Sequence, residues 1–273
     1  MVDDSNRYAL HGGQKGYDRL LVLSRERWPD TEAFFRRAGL ASGMKCVDLG
    51  CGGGEVTLEI AKRVAPGGSV LGIDLDAVKL ELAAADARSR GIGNVEFRET
   101  LVQDWEEPNS YDVCYSRCLL QHLAQPVALL RRMWEALRHD GLLMVEDVDW
   151  HGWTSDPPNL GIEFLRERYE KLLQSRGSDP HFGLRLYRSC REIGVPNPHL
   201  TAIASFRTSQ QGKAIALLTL DAISQSLETE GVATRPEIIE ARASLEELLA
   251  DPESVTMGPT LFQLFAKRST DEK

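Results

Sequence analysis

Two rhythms of apolar and polar residues alternate along this chain. Short runs that are apolar nearly throughout give way to longer stretches in which apolar residues return every third or fourth position. Lys45 to Leu49 is the first such run, and Val56, Ile60 and Val64 mark a helix after it. Ala65-Pro66-Gly67-Gly68 stops that helix, and Ser69 to Ile73 forms a second strand. Leu80 to Ser89 reads as the next helix, Gly91-Ile92-Gly93 ends it, and Asn94 to Arg98 is a third strand. Strand four is Tyr111 to Tyr115. A helix over Val127 to Leu137 carries Val127, Leu130, Trp134 and Leu137 on one stripe, and Asp140-Gly141 turns the chain into strand five, Leu142 to Glu146. Alternation at this pace predicts a parallel α/β sheet, half of a doubly wound fold, with a ligand crevice at the strand ends.

After strand five the pattern is less regular. Helices are expected from about Leu160 to Ser175, from Lys213 to Leu227 and from Glu237 to Leu249. The second is apolar on most sides, through Ile215, Leu217, Leu218, Leu220 and Ile223, so it must be covered. It reads as a lid over a pocket, an extension of the core, or a contact in a homodimer. At the other end, Tyr8 to Gly13 and then Tyr17-Asp18-Arg19-Leu20-Leu21 precede an expected helix pair.

The chemistry concentrates between strand one and the helix after it, in Val47-Asp48-Leu49-Gly50-Cys51-Gly52-Gly53-Gly54-Glu55-Val56. Glycine takes positive φ freely and has no Cβ to hold a ligand away from the backbone N–H groups. A dinucleotide fold wants G-x-G-x-x-G, with its third glycine opening the helix beneath a pyrophosphate. Here Glu55 holds that position, and the pattern is Gly50-x-Gly52-x-Gly54 with acids at Asp48 and Glu55. Two carboxylates repel a pyrophosphate and suit a ligand carrying an ammonium and a sulfonium, which favours S-adenosylmethionine over NAD. Asp74, closing strand two in Gly72-Ile73-Asp74, is placed to accept from both ribose hydroxyls, as the acid ~20 residues after the turn does in nucleotide-binding sheets.

On these residues, together with Tyr111-Asp112-Val113, Gln121-His122-Leu123 and Leu137 to Glu146, the chain resembles the class I methyltransferases, specifically the broad ubiquinone-biosynthesis-like (type 11) group acting on small molecules. The resemblance implies a Rossmann-like sheet of order 3-2-1-4-5-7-6 with its last strand antiparallel, N-terminal helices and inserted lid helices. Leu200 to Phe206 and Thr260 to Ala266 are the candidates for strands six and seven. No repeat or low-complexity tract breaks the chain, so residues 1–273 are read as one domain. Within it, 1–43 would lie over the cofactor, 44–150 would be the cofactor-binding half, and 151–273 the acceptor-side half with lid helices at about 159–176 and 211–250.

The same resemblance implies roles. Asp48 orients the turn and reaches the methionine ammonium; Gly50, Cys51, Gly52 and Gly54 give close backbone approach; Leu75 flanks the adenine. Asp76 reads instead as a helix N-cap. Relatives commonly carry Gly-Asp-Ala after strand three, where this chain has Arg98 to Asp104. Thr100 and Leu101 align best by spacing, while Gln103 and Asp104 are chemically better partners for an adenine amino group. Ser116 would lie along the methionine portion, Tyr8 would shield the cofactor, and Arg19 would pair with its carboxylate; Tyr8 and Arg19 could equally only anchor an N-terminal helix.

The acceptor side is less defined. Amino-group methyltransferases use Asn/Asp-Pro-Pro-aromatic after strand four, where this chain has Ser116-Arg117-Cys118; Asp156-Pro157-Pro158 comes after strand five and is followed by Asn159. Arg117 is read as binding an acceptor carboxylate or serving an internal acid. His122 is read either as a general base for an acceptor hydroxyl or as a structural histidine at a helix start. Asp147, Asp149, Trp150 and His151 are held as acceptor-pocket candidates, with Trp150 and Trp153 as a wall against a flat acceptor or as core. Catechol-type metal sites need an acid just after strand four, so no metal is expected.

Composition narrows the partners. A net charge of −9 gives no footprint for a phosphate backbone, so nucleic acid is not expected as substrate. Arg25-Glu26-Arg27 and Arg131-Arg132 read as solvated helix faces. No apolar run approaches the ~20 residues of a membrane span. The acidic Met1 to Ser5 does not read as a secretory signal, and a cytoplasmic location is expected. The 5 cysteines show no metal spacing and read as reduced, mostly buried thiols. Three functions follow as expectations: O- or C-methylation of a small molecule such as a quinone-like compound or a secondary metabolite; NAD-dependent oxidoreduction; or S-adenosylmethionine binding without transfer.

Overall fold

In the computed structural model, which describes residues 13–268, the strand Lys45–Leu49 (β1) is buried from Cys46 onward and takes parallel partners on both edges. Those partners are Ser69–Asp74 (β2) and Tyr111–Arg117 (β4); Val95–Glu99 (β3) lies outside β2, and Leu137–Asp149 (β5) lies beyond β4. Helices Glu55–Val64 (α2), Ala77–Ser89 (α3) and Pro126–Ala136 (α4) make the crossovers. α2 buries Val56, Leu58, Ile60, Ala61 and Val64, as the sequence period requires. Asp76 caps α3 by accepting from the Lys79 amide at 3.1 Å, and Pro126 occupies the first turn of α4, where its missing N–H costs nothing.

Two later strands complete the sheet. His199–Ile203 (β7) is the outer edge, and Thr260–Lys267 (β10) is inserted between it and β5, antiparallel to both. The order β3-β2-β1-β4-β5-β10-β7 is the expected 3-2-1-4-5-7-6 once strands outside this sheet are set aside. Strand five differs from its expected span. The Asp140-Gly141 turn is an irregularity in its pairing with β4, with Asp140 at φ 64, and the strand runs on to Asp149.

The expected N-terminal helix pair is one helix, Gly13–Ala38 (α1), with Pro29 inside it. Its later part packs Phe34 and Phe35 into the core against Tyr115 and Phe265. The acceptor-side helices Leu160–Ser175 (α5), Gln210–Thr229 (α7) and Arg235–Ala250 (α8) share a second apolar core with Trp150 and Trp153. α7 is covered by α1, α5 and α8, which explains its breadth of apolar surface. Two features were not expected. Phe182–Glu192 (α6) packs beneath β5 and β10, and Thr154–Asp156 (β6), Phe206–Arg207 (β8) and Val255–Met257 (β9) form a small antiparallel sheet. No helix among the described residues is long and apolar enough to cross a membrane.

Candidate active site

At the carboxyl ends of β1, β2 and β4 a cavity of about 510 Å³ opens between the sheet, α1 and α7. Its floor begins at the turn after β1. The Gly50 and Cys51 amides donate to the Ile73 carbonyl at 2.8 and 2.9 Å, and Gly50, Gly52 and Gly54 sit at φ 70, 55 and 80. These are left-handed values that a side chain would strain. A Cβ on Gly52 would lie 2.9 Å from Leu20 of α1, and one on Gly54 would lie 2.7 Å from Ala83 of α3. Gly50, Cys51 and Gly52 line the cavity; Gly54 lies behind it and serves packing at the start of α2.

Carboxylates surround this turn. Asp48 accepts from the Thr57 hydroxyl at 2.7 Å, and burial pushes its pKa up to about 7 despite that bond and the charge of Arg117. Asp74 accepts from the Gly52 amide at 2.9 Å through Oδ2 and from the Asp76 amide at 3.1 Å through Oδ1. Glu55 also faces the cavity; burial raises its pKa, and its buried Oε1 has no hydrogen-bond partner among the described residues. Such an oxygen fits a cationic ligand and opposes a pyrophosphate. Leu75, Thr100, Leu101 and Gln103 line the next stretch of wall, while Asp104 does not reach it. Arg19 lines the cavity beside the turn, with its buried Nε unpartnered among the described residues. Tyr8 lies outside the described residues.

Strand alternation divides the remaining candidates between the two faces of the sheet. In β4, Tyr115 and Arg117 face the cavity, whereas Ser116, expected along the methionine portion, does not line it and is fully buried with its hydroxyl unpartnered among the described residues. In β5 and just after it, Val148 and Trp150 line the cavity, whereas Asp147, Asp149 and His151, expected there, do not. Asp147 accepts from the Gln121 and Val148 amides at 3.2 and 2.8 Å, and burial lifts its pKa to about 7. Asp149 Oδ1 lies 2.7 Å from His151 Nδ1 and 2.6 Å from His181 Nδ1, and the two rings stack with centroids 3.7 Å apart. These hydrogen bonds account for the three groups, which tie the end of β5 to the start of α6.

Arg117 lines the cavity and is also bonded within the protein. It donates to the Ser24 hydroxyl at 2.5 Å and the Thr31 hydroxyl at 3.4 Å. Beside it Glu146, fully buried, accepts from Thr31 at 3.0 Å, Tyr115 at 2.5 Å and Gln263 at 2.7 Å. His122 lines the cavity at the end of the short turn Leu120–His122, and burial, with Arg19, Arg176 and Lys79 nearby, lowers its pKa to about 3. An imidazole held that low is neutral at working pH and a weak proton acceptor. Trp150 donates to Gln121 Oε1 at 2.8 Å, and its ring lies 5.0 Å from that of Trp153 and 4.1 Å from that of Tyr169. The three rings form an aromatic wall.

Sequence reasoning placed Ile215 on a possible lid helix but missed Tyr169, Gln121, Thr219 and above all Arg27 as cavity residues. The reading of Arg25-Glu26-Arg27 as a solvated face is corrected at its last member: Arg25 is exposed, whereas Arg27 is 6% exposed and lines the cavity. The signal was present in the period of α1, where Leu20, Leu23, Ser24 and Arg27 follow one another at helical spacing on the cavity side.

Comparisons with known proteins agree with this layout. The profile of a methyltransferase domain family matches residues 40–175. The chain is similar to the ubiquinone biosynthesis O-methyltransferase of Acinetobacter baylyi, 32% identical over 171 residues that cover 61% of this chain and 69% of that one. It is also similar to the trans-aconitate 2-methyltransferase of Deinococcus radiodurans, 41% identical over 100 residues, 37% of this chain. The match spans only 36% of that relative and 48% of another, so it covers half or less of these two curated proteins. Among solved structures, a Haemonchus contortus phosphoethanolamine N-methyltransferase in complex with phosphomonomethylethanolamine and S-adenosylhomocysteine shares the fold, at TM-score 0.59 and 20% identity, covering 89% of this chain and 53% of that one.

Proposed function

The chain belongs to the class I S-adenosylmethionine-dependent methyltransferases, and on that premise we propose that it moves a methyl group from S-adenosylmethionine to oxygen or carbon of a small, flat acceptor. The observation that carries this reading is the meeting of Asp48, Glu55 and Asp74 around a bare glycine turn, with one buried Glu55 oxygen unpartnered. Asp48 and Glu55 would hold the ammonium and offset the sulfonium charge, and Asp74 would take the ribose hydroxyls on lone pairs its two amide bonds leave open. Leu75, Thr100 and Leu101 would enclose the adenine, and Arg19 would meet the cofactor carboxylate.

The cofactor supplies a methyl already activated by a positively charged sulfur. What remains for the protein is to align the nucleophile, hold it and exclude water, and alignment alone can lower a barrier by roughly 7–11 kcal/mol. α1 and α7 line the cavity through Leu23, Ile215 and Thr219, and the wall of Trp150, Trp153 and Tyr169 would give a flat acceptor its seat. His122, neutral and desolvated, is read as shaping this wall rather than removing a proton. Oxygen or carbon is favoured as the methylated atom because Ser116-Arg117-Cys118 stands where amino-group enzymes carry their Pro-Pro motif.

Titration calorimetry with S-adenosylmethionine, S-adenosylhomocysteine and NAD tests the cofactor. The first two are expected to bind and NAD is not. NAD binding in their place would overturn the reading. Release of S-adenosylhomocysteine during incubation with phenolic and enolic metabolites tests transfer.

A further inference from the structure

The acceptor end of the cavity holds a buried cation that forms no ion pair with any described residue. Arg27 lines the cavity at 6% exposure; among the described residues its buried Nε has no hydrogen-bond partner, and its Nη1 donates to the Cys118 sulfur at 3.7 Å. Burial raises the pKa of that thiol, so it supplies no negative charge. A guanidinium does not shed its proton in a protein. Burying one without a counter-charge is unfavourable, and the surroundings make it worse. Arg207, at the end of β8, is held down to about 10 by burial and by the charge of Arg27, so a second cation lies within reach. Of the acids nearby, Asp30 accepts from the Ser205 hydroxyl at 2.9 Å and, with Glu26, acts on Arg207, while Asp147 feels the charge of Arg27 but its oxygens accept from the Gln121 and Val148 amides.

Resting on the methyltransferase reading above, we infer that Arg27 seats an anionic group of the methyl acceptor, a carboxylate in the simplest case, so that the substrate class is an anion with a flat apolar body. Position separates this seat from the cofactor. Arg19 stands beside the glycine turn, next to the Leu20 that packs on Gly52. Arg27 is two helical turns further along α1, ~12 Å at 1.5 Å per residue. There it meets Cys118, just past β4. Arg117, the other guanidinium at this end, is already bonded to Ser24 and Thr31 and is not available for the task. Across the same cavity the rings of Trp150, Trp153 and Tyr169 offer the apolar surface such an anion would need. A guanidinium with an open Nε edge suits a planar carboxylate, which it can grip with two parallel bonds.

The test uses the full chain as wild type, Arg27→Met and Arg27→Lys, with benzoate as the anionic probe and benzamide as its neutral isostere. Calorimetry gives the affinity for S-adenosylhomocysteine, and thermal unfolding of the saturated protein is followed with each probe at equal ionic strength. Wild type is expected to be stabilised more by benzoate than by benzamide, Arg27→Lys to keep part of that preference, and Arg27→Met to lose it. Arg27→Met should bind S-adenosylhomocysteine within about twofold of wild type and, without ligand, unfold no lower, because it relieves an uncompensated charge. Three results would each overturn the inference. One is equal response of wild type to the two probes. Another is a roughly tenfold loss of S-adenosylhomocysteine affinity in Arg27→Met, which would give Arg27 to the cofactor carboxylate. The third is ligand-free unfolding of Arg27→Met well below wild type, the mark of a structural arginine. Failure of wild type to bind S-adenosylhomocysteine would instead strike the methyltransferase reading itself.

Discussion

At one end of the cavity the wall is backbone, and at the other it is side chains. Around Gly50–Gly52 the chain bends through left-handed angles that β1 and β2 hold in place through the Ile73 carbonyl, and a ligand there would meet amides and carboxylates. Past β4 the wall comes from α1, α5, α7 and the residues after β5, through Arg27, Tyr169, Ile215, Thr219 and Trp150. A turn built from glycines within a few residues of sequence can serve only a narrow range of ligands. A wall gathered from four separate elements can be changed one side chain at a time, which is how one fold accommodates many acceptors.

The sharpest break in that contrast comes from filling the bend. Gly52→Val places a side chain on Leu20 at a φ of 55, and is expected to cost roughly a thousandfold or more in S-adenosylmethionine affinity by calorimetry while circular dichroism stays native. Retained affinity would mean that the ligand does not approach this backbone. Asp74→Ala removes the acceptor for the ribose and frees the Gly52 amide, with an expected loss of ~1.5–3 kcal/mol, or about 10- to 150-fold. A milder handle is pH. The Asp48 carboxyl, at about 7, is largely protonated at pH 6 and ionised at pH 8, and a cation prefers the ionised form. Affinity for S-adenosylmethionine should therefore rise by up to about tenfold across that interval and stay flat in Asp48→Asn. The smallest effect is expected on the side-chain wall. With its imidazole held near 3, His122→Ala should leave the pH dependence of turnover unchanged and kcat within about threefold; a tenfold fall with loss of a basic limb would restore it as a base.

The contrast also explains what could be read from sequence. β1, the glycine turn, α2 and β2 are contiguous, each signalled by residues within one turn or one strand of its neighbours. The sheet order came from the family resemblance, and β10 and β7 lie where it put them. α6 escaped notice although Phe182, Leu186 and Cys190 recur every fourth residue and are buried, because Gly183 and three arginines dilute the stripe. Asp147, Asp149 and His151 were grouped with Trp150 by nearness in sequence, yet a strand sends neighbours to opposite faces, so Val148 facing the cavity already turns Asp147 and Asp149 away, and His151 lies in the short turn after β5. Arg27 was misjudged for a different reason. Burial of a lone guanidinium is rare enough that charge normally signals solvent, and only the packing of α1 against α7 and the sheet shows otherwise.

One consequence follows from α1 being a single helix. Beyond Pro29 it is rooted in the sheet, through Thr31 on Glu146 and Arg37 on Gln263. Before Pro29 it reaches back over the opening with Arg27, Ser24, Leu20 and Arg19 in succession. On the proposed reading it is a cantilever whose span would serve two tenants, and proline leaves it one hydrogen bond weaker near the clamp. Any tilt that lets one tenant out loosens the hold on the other, so the order of arrival and departure becomes a mechanical property of this one beam.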